Sequence, residues 1–537
     1  MQIFRLANAF SCCCFFILEM KHKTTMYKKI RKAPFSLQQW VIVLAILNLQ
    51  CENYSMESLL GAQIEQYHPD HLVFHRKLHQ QKYHDETCLA DGTTCDKEIT
   101  AHRSCWGYED GCERKYMFSY PKCHRHHVSW AHDLDHQASI FWDQGDFGYV
   151  RKMKDQMIHI CHQEHSEDSS LVCVTNDRFC HATNLFIDLT RHDFAGHDRY
   201  REDFFRPGEI GGHCRLDEIH KKQNGNKSPL QSWYAELQEY TSLDFHPISD
   251  GKCDVTFEKP TFVFKLDSGI NLYHHFCDFV NLYASQHLNG SFNTDVHIIM
   301  WDTSELNYND LFTDTWRVFS QHPITRLSDY KGKRLCFRDV VFPLLARMIR
   351  GLYFNMPLVP YCSHSGLFRA FSEHICHRLG IQQEPYQEEV RITLISRKTK
   401  YRNIINEDEL IGAMKRVKGI HVKAVHYHWR EMSFVDQMRI SHNSDIIIGM
   451  HGAGLTHTLF QPNWGALFEL YNTEDANCYQ DLANLRGTAY FTWQDKGKLF
   501  QEDEVSLFYI VKISDTIFLF IFYICEYFSR KCLAYLP

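Results

Sequence analysis

The chain has 537 residues, of which 44% are hydrophobic and 14% aromatic, so it is long and apolar enough for two or three domains. Its net charge of −7 gives no electrostatic reason to expect nucleic acid as a partner. The 35 histidines are scattered and form neither an H-E-x-x-H motif nor paired C-x-x-C motifs, so the common sequence signatures of zinc sites are excluded. We interpret most of these histidines as solvated or structural.

The two ends of the chain differ from its centre. Residues 26–32 are basic and residues 40–49 form an apolar segment of signal-peptide length, so residues 1–55 predict a signal peptide with an upstream extension at 1–25. A signal anchor is the competing interpretation. Residues 501–537 form an atypical apolar tail whose run at 517–525 is too short to span a bilayer, and no membrane span is expected in the core.

The cysteines indicate an oxidising compartment. Of 21 cysteines, an odd number lies between residues 56 and 500, and this predicts disulfides with one leftover thiol. Sequons at Asn53, Asn226 and Asn289 add support for a luminal chain. A small subregion within the Cys- and His-rich N-terminal region, residues 56–250, is predicted to be stapled by its closely spaced cysteines, which are Cys88, Cys95, Cys105, Cys112 and Cys123.

One stretch of that N-terminal region stands out. From His197 it reads H-D-R-Y-R-E-D-F-F, and from Gly208 it reads G-E-I-G-G-H-C. Its composition alone favours an exposed charged helix that ends at a glycine turn.

Residues 251–385 predict a first α/β unit. A strand at 260–264 leads through Gly269 into a helical pattern, on which His274 and Asp278 are four residues apart and share one face. A second strand, 296–301, ends at Asp302, as loop-borne polar residues do at the carboxyl edge of a parallel sheet. A helix is predicted at 368–379.

Residues 386–500 predict a second α/β unit. The buried strand Val390–Ile395 is followed by four cations within six residues, from Arg397 to Arg402, and then by Asn406 and a helix from Glu407. Four cations at a strand exit face either water or an anion, and a solvated basic loop is the simpler alternative.

A glycine turn in this unit favours the anion. A β-branched strand at 446–448 precedes Gly449, Gly452 and Gly454, and a helix is predicted at 455–460. Strand, turn and helix N-terminus together make a phosphate site, and His451 within the turn can donate to a phosphate oxygen. The next strand, Ala466–Leu470, carries Glu469.

The sequence G-M-H-G-A-G-L-T-H around this turn, and S-R-x-x-x-x-R-x-I-x-N from Ser396, resemble the donor side of glycosyltransferase family 61. These are inverting enzymes that include plant xylosyltransferases and animal O-GlcNAc transferases of the secretory pathway. The similarity runs from about Cys105 to about Trp493. It implies an α/β, GT-B-like pair of Rossmann-like domains facing a cleft, with 251–385 on the acceptor side and 386–500 on the donor side.

The resemblance also implies roles. The H-D-R-Y-x-E-D-F-F stretch is similar to family members that modify EGF-like domains, which implies UDP-GlcNAc as donor, EGF-like domain proteins as acceptors and the endoplasmic reticulum lumen as location. We expect Asp278 to act as base for the acceptor hydroxyl, oriented by His274 or Asn271, with Glu469 accepting from the ribose. The donor-binding residues are expected to be Arg397, Arg402, Asn406, His451, Gly452, Gly454 and Glu469.

A metal and two rival functions stay open. Only Asp133-Leu134-Asp135 spells D-x-D, and the acidic triplet that relatives carry near Gln321-His322-Pro323 is missing, so manganese is left without an assigned ligand. One rival is a related enzyme of the same family acting on an O-mannosyl glycan. The other is a non-catalytic luminal binding protein.

Overall fold

A computed structural model of the chain describes His71 and residues 104–223, 228–306, 310–348, 351–354, 358–385, 389–399, 402–470, 477–493, 499–501 and 509–511. Two compact units are distinguished, Met1–Leu72 and Val73–Pro537, and every element below belongs to the second. The predicted signal peptide, the apolar run at 517–525, Cys88, Cys95, Asn53 and Asn226 lie outside the described residues.

The strands, numbered along the chain, are β1 (Lys122–Cys123), β2 (Met157–His162), β3 (Ser170–Val174), β4 (Cys180–Asp188), β5 (Ile210–Gly212), β6 (Arg215–Leu216), β7 (Thr241–Ser242), β8 (Val255–Phe257), β9 (Thr261–Phe264), β10 (His297–Met300), β11 (Thr325–Arg326), β12 (Arg334–Phe342), β13 (Cys362–Ser363), β14 (Val390–Ile395), β15 (Asn403–Ile404), β16 (Ile420–Val425), β17 (Ile446–Met450), β18 (Ala466–Leu470), β19 (Ala489–Trp493), β20 (Leu499–Gln501) and β21 (Tyr509–Val511).

The α-helices are α1 (Leu134–Gly145), α2 (Phe147–Asp155), α3 (Glu218–Gln223), α4 (Tyr234–Leu237), α5 (Leu272–Asn289), α6 (Gly366–Arg378), α7 (Glu407–Met414), α8 (Phe434–His442) and α9 (Cys478–Arg486). Short 3₁₀ segments are Arg114–Tyr116, Thr313–Val318, Leu327–Tyr330 and Ala453–Phe460. Among the described residues, no helix is both long and apolar enough to cross a membrane.

The larger sheet joins the N-terminal region to the first α/β unit. Counted over the described residues it has 11 strands, with the main order β11-β10-β9-β12-β4-β3-β2-β6. Strands β11, β10, β9 and β12 pair in parallel, whereas β12, β4, β3 and β2 pair antiparallel. Three of the antiparallel strands, β2, β3 and β4, lie at 157–188, a region for which no strands were predicted from the sequence.

The smaller sheet is parallel throughout, in the order β16-β14-β17-β18-β19. Its central strand β17 is buried at every position, as the β-branched run predicted, and Ile446 and Ile448 are 2% and 1% exposed. The predicted strands β14 and β18 have the expected bounds. The predicted α/β class with a Cys-rich N-terminal region is therefore confirmed.

The disulfides correct two predictions. Cys123 does not staple the N-terminal subregion but pairs with Cys362, 239 residues away. Among the described residues three cysteines lie outside the disulfides where the sequence predicted one leftover thiol, because an odd number of cysteines does not show how many of them pack as small hydrophobic side chains instead of pairing. They are Cys277, Cys376 and Cys478, and the bonds are Cys105–Cys112, Cys123–Cys362, Cys161–Cys214, Cys173–Cys180 and Cys253–Cys336.

Candidate functional site

The glycine turn after β17 has the predicted backbone shape with one difference. Gly452 has φ of 151°, a conformation that residues with a Cβ rarely adopt. The following segment, Ala453–Phe460, is a 3₁₀ helix rather than an α-helix. The Leu455 N–H donates to the Gly452 carbonyl at 2.9 Å, so this N–H is used within the turn instead of facing a ligand.

Two arginines from the exit of β14 converge on this turn. Nη1 of Arg402 donates to the His451 carbonyl at 2.9 Å, and Nη1 of Arg397 donates to the same oxygen at 3.3 Å. A Cβ placed on Gly452 would lie 2.3 Å from Nη1 of Arg397. The absence of a side chain at Gly452 therefore lets the Arg397 guanidinium reach the backbone of the turn.

The electrostatics of this arginine pair suit an anion. Burial lowers the pKa of Arg397, and the neighbouring charge of Arg402 lowers it further. The Nε of Arg397 is buried and has no hydrogen-bond partner among the described residues. A buried donor without an acceptor is costly, and a diphosphate would supply both the acceptors and the opposing charge.

His451 is held by the neighbouring strand. Its Nδ1 lies 2.5 Å from Oε1 of Glu469, and Oε2 of Glu469 accepts from the Tyr490 hydroxyl, also at 2.5 Å. Glu469 is 1% exposed, so its observed contacts orient the imidazole. The ribose contact predicted for Glu469 would have to compete with these two bonds.

The structure shows no feature specific to a donor site at the other two predicted donor-binding residues, Gly454 and Asn406. A Cβ on Gly454 would meet Ile395 at 3.5 Å, an ordinary contact, so the fold does not require glycine there. Asn406 precedes α7, and its Nδ2 donates to Oε2 of Glu409 at 2.9 Å. Their roles toward the donor stay predictions.

The predicted base lies inside the protein. Asp278 is 1% exposed, and its Oδ2 accepts from the backbone N–H of Asp267 at 2.9 Å. Burial and the nearby carboxylate of Asp267 raise the pKa of Asp278 well above its usual value. Asn271, which the sequence suggested as an orienting partner, instead caps α5 by accepting from the N–H groups of Tyr273 and His274.

His274 pairs with a residue that the sequence did not single out. Its Nδ1 lies 2.9 Å from Oδ2 of Asp267, and the same oxygen accepts from Nε of Arg347 at 2.9 Å. The His274 side chain is 26% exposed, whereas that of Asp267 is 3% exposed. Asp267 follows strand β9 by three residues, so the rule that pointed to Asp302 would also have found it. Arg347 carries no such local signal.

Two tyrosines connect residues of the two α/β units. Tyr273, next to His274 on α5, lies with its ring centroid 5.8 Å from that of Tyr479. Tyr479, on α9, in turn lies 5.0 Å from the ring of His451. The structure therefore brings the predicted residues of the two units together through aromatic contacts.

The H-D-R-Y stretch packs against the first sheet and is not helical, so the expectation of a charged helix is wrong. Nε of Arg199 donates to Asp302 at 3.0 Å, and Nη2 donates to the Leu266 carbonyl at 2.8 Å. Arg199 is thus held by partly buried hydrogen bonds, whereas Asp198, Glu202 and Asp203 are exposed. A cavity of about 540 Å³ adjoins this pair, lined by residues that include Phe194, Trp301 and Leu306.

The D-x-D residues do not fit a metal site for a diphosphate. Asp133 accepts from the N–H of His136 and caps α1, and Asp135 is exposed and paired with Arg114 at 3.2 Å. The Asp133 carboxylate is occupied by the helix cap and the Asp135 carboxylate by the ion pair, so neither is placed to hold a metal ion for a diphosphate.

Known glycosyltransferases match this chain in sequence. The family model described as Glycosyltransferase 61 matches residues 272–467, from the start of α5 into β18. The chain is 50% identical over 439 residues to the EGF domain-specific O-linked N-acetylglucosamine transferase of Pan troglodytes, covering 81% of this chain and 82% of that protein. Proteins of the same name from Gallus gallus and Drosophila melanogaster are 53% and 45% identical, over 76% and 75% of this chain and 76% and 78% of theirs.

Proposed function

Since the chain belongs to the glycosyltransferase 61 family and is a glycosyltransferase with a GT-B-like fold, we propose that it transfers N-acetylglucosamine from UDP-GlcNAc to Ser or Thr hydroxyls of folded EGF-like domains. The names of its relatives state this linkage and this acceptor for those proteins. The similarity covers more than three quarters of both chains, so the same acceptor class is the strongest proposal for this one.

The observation that carries the donor assignment is the arginine pair at the glycine turn. Arg397 and Arg402 are adjacent like charges, and a buried N–H of Arg397 lacks an acceptor among the described residues. Such a pair stabilises a diphosphate in the ground state and, more strongly, the charge that develops on UDP as it leaves. His451 adds a ring positioned by Glu469.

For the acceptor step we infer that His274, rather than Asp278, takes the proton of the hydroxyl. His274 is partly exposed and its Nδ1 is held by Asp267, which leaves Nε2 directed away from that carboxylate. Asp278 is buried and bonded to a backbone N–H, so it supports the Asp267 backbone from behind. Attack on the face opposite the departing UDP would invert the anomeric centre.

The compartment proposed is the lumen of the endoplasmic reticulum. The support is the set of disulfides within 105–362 and a sequon at Asn289, the partly exposed last residue of α5. The expected finding is a mature chain that begins near residues 50–55 and carries a glycan at Asn289. Mass spectrometry of the secreted chain that finds residues 1–25 and an unmodified Asn289 would contradict it.

The test of function is transfer of radiolabel from UDP-GlcNAc to a folded EGF-like domain by the purified chain. The matched control acceptor is the same domain after reduction and alkylation, which keeps the sequence and loses the fold. Label on the folded domain alone supports the proposal. Label on an O-mannosyl peptide instead supports the related enzyme, and UDP binding without transfer to any acceptor supports the non-catalytic binding protein.

A further inference from the structure

A cluster outside the proposed active site has the geometry of a metal centre. Asp168 lies between β2 and β3, His213 follows β5, and His246 lies in the loop after β7. One ligand atom from each residue lies within 4.8 Å of the other two. No sequence motif predicts this cluster, because its members are 45 and 33 residues apart in the chain and come together only in the fold.

The distances suit a tetrahedral ion. Nε2 of His246 lies 3.1 Å from Oδ1 of Asp168, and Nε2 of His213 lies 3.8 Å from the same oxygen. Ligands at about 2.0–2.1 Å from a tetrahedral zinc ion are separated by roughly 3.3 Å, between these two values. The two imidazole rings lie 4.0 Å apart between centroids, so the two histidines are in direct contact beside Asp168.

The His213 and Asp168 side chains are already held through the atom that would not touch the ion. Nδ1 of His213 lies 2.9 Å from the Leu243 carbonyl, the contact by which a metal-bound histidine usually fixes its tautomer. Oδ2 of Asp168 accepts from the N–H groups of Glu164 and His165, at 3.0 and 2.7 Å. These two bonds fix the orientation of the Asp168 carboxylate.

The supporting backbone is held by further bonds. The N–H of Ser169 donates to the His213 carbonyl at 2.8 Å, and the N–H of His213 donates to Oγ of Ser169 at 3.0 Å. The next residue, Cys214, is bonded to Cys161. The His213 and His246 side chains are 38% and 31% exposed, so an ion has a path from solvent and room for a water as fourth ligand.

We propose that Asp168, His213 and His246 bind one Zn²⁺ ion, which joins three segments of the N-terminal region and stabilises them. Two imidazoles and a carboxylate match the preference of zinc for nitrogen and oxygen ligands, whereas calcium and magnesium require six or more oxygens. None of these three residues belongs to the arginine pair or to the group around His274, so the ion is assigned no part in the proposed sugar transfer.

The test uses the secreted full chain without a polyhistidine tag, stripped of metal and then titrated with Zn²⁺ against a chelator of known affinity. One equivalent should bind tightly and raise the melting temperature, and Co²⁺ should give the visible absorption of a tetrahedral complex. In His213→Ala/His246→Asn, affinity should fall by more than the 10- to 100-fold that a lost supporting contact costs.

The matched control is His159→Ala/His162→Ala. This pair stacks with ring centroids 5.6 Å apart on β2 but belongs to no three-ligand group among the described residues. The control should bind zinc as the wild type does. If His213→Ala/His246→Asn fails to fold, the single variant His246→Asn is used in its place, because the Asn side chain can still donate a hydrogen bond to Asp168. The proposal is overturned if the wild type binds zinc no more tightly than the variants at 213 and 246. It is also overturned if the His159→Ala/His162→Ala control loses as much zinc affinity as they do.

Discussion

Nδ1 of His274 lies 2.9 Å from Oδ2 of Asp267, a carboxylate that is almost completely shielded from solvent. This pairing fixes one face of the imidazole and leaves its partly exposed side to meet an acceptor. The backbone of Asp267 is fixed in turn by Asp278. The three residues thus form a connected group in which only the histidine reaches solvent.

The first prediction separates His274 from Asp278 as base. His274→Ala should lower single-turnover transfer by roughly 10²–10⁴-fold, the usual contribution of a general base, while UDP affinity stays unchanged. Asp278→Asn keeps an oxygen for the Asp267 N–H and should transfer at nearly the wild-type rate. His322→Ala, which removes another imidazole paired with a carboxylate, is the matched control. The reverse pattern, with Asp278→Asn inactive and His274→Ala active, would restore Asp278 as the base.

The second prediction concerns Arg402. Arg402→Ala should weaken UDP binding about ten- to a hundredfold, because one charge-assisted contact contributes about 1.5–3 kcal/mol. The melting temperature without UDP should not fall, since the change also relieves repulsion on Arg397. Arg416→Ala removes an exposed cation near the end of α7 and should leave affinity unchanged. Calorimetric titration with UDP measures this, and equal affinities for both variants would refute the donor site.

The third prediction concerns Gly452. An alanine there meets Arg397 at 2.3 Å and must hold φ near 151°, a strain of about 1–3 kcal/mol. Displacement of the guanidinium should reduce UDP affinity at least tenfold while the chain still folds. Gly412→Ala is the control, because its Cβ meets only Arg416 at 3.8 Å and alanine favours a helix. Wild-type donor binding by Gly452→Ala would show that close approach is unnecessary.

The fourth prediction uses pH and stability. Burial raises the pKa of Asp278, so the folded chain keeps a proton that the unfolded chain loses near pH 4. The contribution of Asp278 to stability should therefore fall as pH rises above about 4 toward its raised pKa, by up to about 1.4 kcal/mol per pH unit. The Asn side chain in Asp278→Asn does not titrate. The melting temperature of this variant minus that of the wild type should therefore increase as pH rises.

The control for that measurement is Asp254→Asn. Its hydrogen bonds to Arg334 lower the pKa of Asp254, so this carboxyl is ionised in both states above pH 5. The difference between this variant and the wild type should then be constant from pH 5 to 8. A difference for Asp278→Asn that is equally constant would mean that Asp278 is not protonated in the folded chain.

Local patterns were sufficient to predict the glycine turn after β17 and the arginines that contact it. The β-branched run at 446–448, the glycines after it and the cations after β14 each express a requirement of one short segment, and the structure brings Arg397, Arg402 and His451 together as predicted. The turn was predictable because burial of a parallel strand and close approach of a backbone leave direct marks in sequence.

The acceptor side was less predictable because its contacts are long-range. A spacing of four placed His274 and Asp278 on one helical face, but the partner of His274 comes from the end of β9, and Arg347 comes 80 residues later. Burial of Asp278 depends on everything packed around α5, which no local pattern records. The antiparallel half of the larger sheet was not predicted either, because its strands mix histidines, cysteines and polar residues and show no regular hydrophobic pattern.

The bond between Cys123 and Cys362 has a consequence for how the chain is made. Three other bonds, within residues 161–336, close entirely inside the loop that it spans. At ribosomal rates of 5–20 residues per second, Cys123 emerges roughly 10–50 s before its partner. Throughout that interval it is a thiol beside several newly made cysteines, so correct pairing depends on delayed oxidation or on isomerase-catalysed exchange. Yield of active protein should accordingly be set by the exchange machinery of the host cell.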